Sequence, residues 1–262
     1  MPTDSWREAL PLLTGTVVQL REISFLDAPG LFALISEDPQ VEQYISPPPP
    51  SVHAFQAFIA WAQRERAAGR SVCYAVVPKP LAFAVGLFQV RALDPDFFIA
   101  EWGFALGSSF WSTGVFEDAA TLVADFTFRT LGAQRLEGRA VTANGRGNGA
   151  LHKIGARGEA VLRRALERDG IHHEQFLWTL IAQEWQAQDS RARARFSAAT
   201  TRRQIHDAIA QVERELAKSA PAPVPGQNEL HPFFITGRSR CSPQTPQTPP
   251  RRDEPKVDQH QD

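Results

Sequence analysis

A short turn of small polar residues is the feature of this sequence that could most directly bind a ligand. Ser, Thr and Gly at 112–114 separate the strand-like segment 97–106 from a helix-like segment that begins at Val115. The first turn of a helix presents unpaired N–H groups and partial positive charge, so it can bind an anion. No Lys or Arg lies between Glu101 and Phe128, so backbone amides would hold most of a phosphate here. The turn predicts a phosphate-bearing cofactor.

A second motif follows after an interval that fits one helix, at roughly 114–131, and one strand, at roughly 135–141. The first motif, at 111–119, reads W-x-x-G-x-F-x-D-A, and the second, at 144–156, reads N-G-R-G-N-G-A-L-H-K-I-G-A. In this order they resemble the acetyl-coenzyme A signature and the second motif of GNAT-superfamily N-acetyltransferases. The resemblance covers about residues 14–182 and is closest to the branch that acetylates ribosomal-protein N-termini.

The resemblance implies an α/β fold with a mixed sheet, of the GNAT-like acyl-CoA N-acyltransferase type. In that family the strand corresponding to 102–106 diverges from its parallel neighbour, here near 136–141, and the pantetheine arm of acetyl-CoA lies in the gap. The amides of roughly 112–116 would bind the pyrophosphate. The implied cofactor-binding positions are Phe104, Ala105, Leu106, Trp111, Ser112, Thr113, Gly114, Val115, Phe116 and Asn144.

Four of these positions also have an ordinary structural interpretation. Gly114 fits a loop–helix junction, and Trp111 fits a packing aromatic. Phe116 is bulkier than the residue usual in the family, so it would either narrow the pyrophosphate cradle or point into the core. Asn144 could form a turn before the glycine that follows it.

Transfer of an acetyl group to an amine near neutral pH needs a base, because an ammonium ion has no lone pair. Glu101 lies beside the expected gap, where related enzymes often place a carboxylate, so we predict it to be the general base. The alternative is a solvated or strand-edge charge. The family commonly uses a Tyr after the Asn-containing loop as general acid, but Tyr44 and Tyr74 are both upstream. His152 fits an exposed helical side chain better than a substitute acid.

Composition narrows the class of protein. The 262 residues are 43% hydrophobic and include 17 Phe, which allows a sizeable core. A formal net charge of −1 argues against nucleic acid or an anionic membrane as partner. Two cysteines give neither a disulfide framework nor a metal cluster, and Cys73 fits a buried apolar strand. His172 and His173 lack a third metal ligand at a suitable spacing. Without a signal peptide or an apolar run of membrane length, we expect a cytoplasmic protein.

The pattern of apolar residues predicts one mixed sheet with helices on both faces. The order is a strand, two helices, three antiparallel strands, and then helix, strand, helix and two strands. The predicted strands are 16–21, 72–77, 82–90, 97–106, 135–141, 159–163 and 174–180. The second early helix should begin at Ser51 as N-cap and end at Gly69.

The two ends of the chain differ from the domain at 14–182. Residues 1–13 are expected to be a flexible lead-in. In the helical extension 183–218 the apolar residues recur at heptad-like spacing, which favours packing on the domain, with a homodimer helix as the alternative. They are Ile205, Ile209, Val212 and Leu216. The Pro-rich tail 219–262 has too little apolar surface to fold and is expected to be disordered.

These observations predict an N-acetyltransferase that moves acetyl from acetyl-CoA to a primary amine. A peptide or protein N-terminal amine is preferred over a small molecule, and this preference rests only on the closest branch. The two early helices and the loop 44–50 would form the acceptor wall. The competing interpretation is a non-catalytic acetyl-CoA-binding regulatory or interaction protein on the same fold.

Overall fold

A computed structural model of the protein describes residues 4–187, 204–211 and 214. Its centre is one eight-stranded mixed sheet in the order β1-β2-β3-β4-β5-β6-β8-β7. All neighbouring strands are antiparallel except β5 and β6, which are parallel. The strands are β1 (Leu13–Thr14), β2 (Val18–Glu22), β3 (Ser71–Pro78), β4 (Gly86–Ala92), β5 (Ile99–Leu106), β6 (Arg135–Val141), β7 (Arg157–Arg168) and β8 (Ile171–Ile181).

The helices lie on both faces of this sheet, and a π-helical turn, Phe32–Ser36, follows the first of them. They are α1 (Ala28–Leu31), α2 (Pro39–Glu42), α3 (Val52–Ala67), α4 (Val115–Arg129), α5 (Gly145–Lys153), α6 (Ala182–Ala187) and a helical segment at 204–211. The predicted limits of α3 are confirmed. The Ser51 hydroxyl accepts a hydrogen bond from the Ala54 N–H at 3.1 Å, and Gly69 follows the helix with a left-handed φ of 73°.

Strand alternation divides the core into two clusters. On one face, which we call the α3 face, Ile59 of α3 packs with Leu87 and with Cys73, which is buried as predicted. On the other face, the α4 face, Ala120 of α4 packs with Phe88 and other strand residues. Side chains of β5 therefore point alternately to two differently covered surfaces.

The parallel strands β5 and β6 are paired over only part of their length. Their register joins residues 99–102 of β5 to residues 135–138 of β6 and stops at Trp102 and Gly138. Beyond this point β5 stays bonded to β4 as far as Leu106, whereas β6 stays bonded to β8 as far as Val141. The two strands thus diverge where the family resemblance implies, leaving a gap between residues 103–106 and 139–141.

Three details differ from the sequence predictions. The N-terminal segment is not a loose lead-in from Asp4 onward, because Trp6 and Leu10 are buried in the α4-side core. The strand predicted at 82–90 begins at Gly86, because residues 79–85 form the connection between β3 and β4. The last two strands are a hairpin that turns at 169–170, so the polar residues 172–173 lie within β8 and not in a loop.

The described part of the C-terminal extension packs on the domain. Ile205 and Ile209 are buried in the α4-side core, to which Trp185 of α6 also belongs. The other two apolar positions of the predicted helix, Val212 and Leu216, and the tail 219–262 lie outside the described residues. In the part of the chain that the structure describes, no helix is long and apolar enough to cross a bilayer.

Candidate active site

The turn before α4 has an unusual backbone. Gly114 is the N-cap of α4 with φ 83°, in the left-handed region that favours glycine, and Ser112 has φ 61°. The Thr113 hydroxyl is buried and donates to the Phe110 carbonyl at 2.6 Å, so it holds the turn from inside. Ser112 is exposed. A ligand at this turn would meet the Ser112 hydroxyl and the first-turn amides rather than the Thr113 hydroxyl.

Trp111 lies between the end of β5 and helix α5. Its indole N–H donates to the Leu106 carbonyl at 2.9 Å, and the guanidinium carbon of Arg146 is 4.5 Å from its ring centroid. This cation–π contact brings a positive charge from α5 to the mouth of the gap. In the sequence, cations were considered only between Glu101 and Phe128, so Arg146 was not included. The position of Arg146, two residues after Asn144 in the second motif, is the signal that could have indicated it.

Phe116 points into the core and not into the glycine turn. Its ring lies 4.7 Å from that of Phe104 and 5.8 Å from that of Phe88, and Trp102 borders the same aromatic group. Of the two orientations left open by the sequence, the structure has the one that leaves the turn clear. The large side chain is accommodated on the α4 face of the sheet.

Asn144 caps α5, as its turn-forming interpretation suggests. Its carboxamide oxygen accepts from the Gly147 N–H at 2.8 Å. Asn148, which the sequence reasoning missed, braces the same loop. Its side-chain N–H group donates to the carbonyls of Asn144 and Val141 at 2.8 and 3.0 Å, and its oxygen accepts from Trp178 at 2.8 Å. The far wall of the gap is therefore fixed to β8.

Asp118 fastens the first turn of α4 to the N-terminal hairpin. Its carboxylate accepts from the N–H groups of Thr16, Val17 and Val18 at 3.1, 2.7 and 3.0 Å. A Cβ at Gly15 would lie 2.4 Å from one carboxylate oxygen, so only glycine fits there. These three donors stabilise the negative charge and hold the start of the helix in place.

Glu101 is fully buried between two arginines. Both Nε, at 2.9 Å, and Nη2 of Arg91 donate to one carboxylate oxygen, and Nε of Arg139 lies 3.1 Å from the other. The alternative of a solvated or strand-edge charge is therefore wrong. Glu101 lies on the α3 face, one residue before the last pair between β5 and β6. The Arg139 side chain reaches it from β6, so the ion pair joins the two diverging strands.

The row of charges continues toward the edge of the sheet. Arg135 pairs with Glu137 at 2.9 Å and with Glu159 of β7 at 2.5 Å, and the Thr179 hydroxyl donates to Glu159 at 2.7 Å. The hydrogen bond from the Arg135 guanidinium, and to a smaller extent that from Thr179, lowers the pKa of Glu159. Alternating arginine and glutamate side chains thus form a row across the α3 face, from β4 to β7.

The hairpin of β7 and β8 also reaches the loop predicted as the acceptor wall. Arg168 donates to the carbonyls of Glu42 and Ile45, the latter at 2.9 Å, and its Nη2 lies 2.6 Å from the Glu42 carboxylate. Tyr44 is half-buried in this loop. Tyr74, in contrast, is buried on the α4 face, and burial raises the pKa of its hydroxyl. Neither tyrosine follows the Asn144 loop.

The diverging parallel strands and the glycine turn at the start of α4 are the features that the sequence resemblance led us to expect. Residues 18–157, more than half of the chain, match the acetyltransferase (GNAT) domain family. The chain belongs to this family, so it is an acyltransferase of the N-acetyltransferase type. The family resemblance and the mixed-sheet fold predicted from the sequence are both confirmed.

Known relatives support the assignment. The uncharacterized N-acetyltransferase YoaA of Bacillus subtilis is 23% identical over 175 residues, which cover 65% of this chain and 97% of YoaA. Mycobacterium smegmatis RimJ, solved in complex with CoA-disulfide, is 21% identical with a TM-score of 0.62, over 70% of this chain and 90% of RimJ. A candidate ribosomal-protein-serine acetyltransferase of Vibrio cholerae is 20% identical with a TM-score of 0.57, over 65% and 97% of the two chains. These two structures share the fold.

Proposed function

We propose that this protein transfers the acetyl group of acetyl-CoA to a primary amine, with a peptide or protein N-terminal amine as the preferred acceptor. The observation that carries the proposal is the gap between β5 and β6, which Trp111 connects to the turn before α4 through its contacts with Leu106 and Arg146. A phosphate group at the turn and an extended arm in the gap would be bound by adjoining parts of one surface.

The residues around the gap fit acetyl-CoA, which supplies the thioester as acyl donor when bound. Gly114 has no side chain to block a pyrophosphate from the first-turn amides, and Arg146 adds a cation next to Trp111. Beyond Trp102 the main chain of β5 has no β6 partner, so the groups of residues 103–105 that face the gap could bond the pantetheine arm, whereas the Leu106 carbonyl already accepts from the Trp111 indole. We also propose that Asn144, Trp111 and the other positions implied by the family resemblance contact the cofactor here.

Glu101 is proposed to accept the amine proton, through a water molecule. The amine nitrogen forms a bond to the thioester carbonyl carbon, the carbon–sulfur bond breaks, and the leaving thiolate takes a proton from solvent. One proton leaves the nitrogen toward Glu101. The contacts with Arg91 and Arg139 give the same carboxylate a structural role, because they join β4, β5 and β6 below the gap.

The preference for an N-terminal amine rests on the acceptor wall and on the similar proteins. Arg168 holds the end of α2 and the loop at 44–50 against the β7–β8 hairpin, so the α3 face is bordered on two sides. Such a boundary favours a slender acceptor that enters end-on, as a free chain end does. The candidate ribosomal-protein-serine acetyltransferase of Vibrio cholerae acts on a protein acceptor by its name.

A mass-shift screen with acetyl-CoA tests this function. The acceptors are peptides with different N-terminal residues, the same peptides with a blocked N-terminus and an internal lysine, and small primary amines. We expect acetylation of free N-termini and little of the blocked peptides. Transfer to lysine or to small amines alone would contradict the acceptor preference. Binding of acetyl-CoA without transfer to any amine would favour the non-catalytic regulatory protein.

A further inference from the structure

Gln89 of β4 is a buried amide that no contact described above explains. Its side chain is 2% exposed, and among the described residues its carboxamide oxygen has no hydrogen-bond partner. Protein structures pair the great majority of their buried polar atoms, so a buried acceptor without a donor indicates a missing water molecule or ligand. The site of Gln89 in the sheet indicates which ligand.

Gln89 lies on the α3 face, one strand away from the gap. It is paired across the sheet with Gly103 of β5, the first residue beyond the last pair between β5 and β6. Arg91, two residues further along β4 and therefore on the same face, reaches Glu101. Gln89 is thus a close neighbour of the proposed base, at the point where the strands begin to diverge.

The one strong donor beside Gln89 on β4, the Arg91 guanidinium, donates to Glu101, and the described cross-strand neighbours of Gln89 supply no other. Gly103 has no side chain, and on the same face Leu87 and Ala105, the next cross-strand pair, are apolar. The cross-strand neighbour on β3 is Cys73, whose thiol is only a weak donor. A ligand that brings an N–H group to this place would satisfy the carboxamide oxygen.

We propose that the Gln89 carboxamide oxygen accepts a hydrogen bond from the acceptor amine, an inference that rests on the proposed function. A neutral primary amine has two N–H groups and a lone pair. The lone pair attacks the thioester carbon, one proton leaves toward Glu101, and the other remains in the amide product. Gln89 binds the N–H that remains. A secondary amine has a single N–H and loses it in the reaction, so Gln89 makes the site selective for primary amines.

The test compares Gln89→Leu with Tyr74→Phe as a matched control. Tyr74 is also buried, and its hydroxyl also has no partner among the described residues, but it lies on the α4 face against Phe126. The acceptors are the best free-N-terminus peptide of the screen and the same peptide with an N-methylated N-terminus. For Gln89→Leu we expect the KM for the unmethylated peptide to rise about tenfold, the value of one hydrogen bond.

Three further readouts separate this role from a structural one. The preference of Gln89→Leu for the unmethylated peptide over the N-methylated one should fall. Its Kd for acetyl-CoA should stay unchanged, and its Tm should be unchanged or higher, because a buried unpaired group has been removed. Tyr74→Phe should keep the KM and the preference of the unmodified protein. If Gln89→Leu does not fold, the same measurements are made on Gln89→Met.

Unchanged KM and unchanged preference in the folded Gln89 variant would overturn the proposal. A weaker Kd for acetyl-CoA would overturn it as well, since Gln89 would then contact the cofactor and not the amine. If the unmodified protein acetylates no amine in the screen, the proposed function itself fails and this inference fails with it.

Discussion

Among single residues, Glu101 combines its proposed role as base with a structural role in the sheet. A carboxylate that is fully buried must have charged or polar partners, and Arg91 and Arg139 supply them. The same contacts tie β4, β5 and β6 together where the gap begins. Replacement of Glu101 therefore affects both roles, and only a set of separate readouts can distinguish them.

Glu101→Gln should lower the turnover number by about 10²–10⁴, the usual range for the loss of a general base. The Kd for acetyl-CoA should change little, because Glu101 is not proposed to contact the cofactor. Higher pH should partly restore the rate, since more of the acceptor is then a neutral amine. Steady-state kinetics from neutral to alkaline pH, measured well below the Tm, check this.

The matched control is Glu137→Gln, which removes a paired carboxylate from the same face of β6. It should keep most of the activity. Equal losses in both variants would mean that the charge row as a whole is needed for structure. An unchanged turnover in Glu101→Gln would place the base elsewhere, and a weaker Kd for acetyl-CoA would give Glu101 a role in holding the strands apart.

At the scale of secondary-structure elements, the gap depends on how β5 and β6 are held together before they diverge. The buried Trp102 side chain lies directly over Gly138, where a Cβ would come within 2.6 Å of the indole nitrogen. Leu151 of α5 closes the same space from above. The absence of a side chain at residue 138 thus allows an aromatic residue to fill the junction between strand and helix.

Gly138→Ala should be destabilising by about 1–3 kcal/mol, because the added methyl group overpacks a filled site. The control is Gly149→Ala in α5, where a Cβ would meet nothing within 4 Å. This control should be neutral or stabilising by up to about 1 kcal/mol, since alanine favours a helix. Urea unfolding at one temperature measures both. Equal stabilities of the two variants would contradict the packing described for Trp102.

Several elements could be predicted from the sequence because their signals are local. The serine cap of α3, the limits of β6 and the place where β5 and β6 diverge depend on neighbouring residues or on two adjacent motifs. The arginine contacts of Glu101 and the contact of Arg168 with the loop could not be predicted. They join segments up to 126 residues apart, and the type of an arginine gives no signal of its distant partner.

At the scale of the whole molecule, the charge row makes stability depend on pH. The hydrogen bond from Arg135 lowers the pKa of Glu159 below its ordinary value of 4.5. In the unfolded chain the ordinary value returns, so the folded state binds fewer protons in this range. The stabilisation is complete above about pH 4.5 and is lost as the pH falls through the lowered pKa.

The Tm of Glu159→Gln should therefore lie below that of the unmodified protein at pH 7, and this difference should shrink as the pH falls from 7 to 3. The difference at pH 7 should be small, because the Glu159 side chain is 41% exposed and solvent screens the pair. Thermal unfolding at a series of pH values measures it. A difference in Tm that grows toward pH 3 would contradict the assigned ion pair.

Our proposal requires acetyl-CoA to bind in the gap between β5 and β6 with its pyrophosphate at the Gly114 turn. Thermal unfolding with increasing acetyl-CoA tests it most directly, because a ligand that binds only the folded state raises the Tm by mass action. The control for Gly114→Val is Gly132→Val, which strains another left-handed glycine, at φ 81°, in the loop after α4. We predict a rising Tm for the unmodified protein and for Gly132→Val, and most of the shift lost in Gly114→Val. No shift at millimolar acetyl-CoA, or equal shifts in the two variants, would contradict the account.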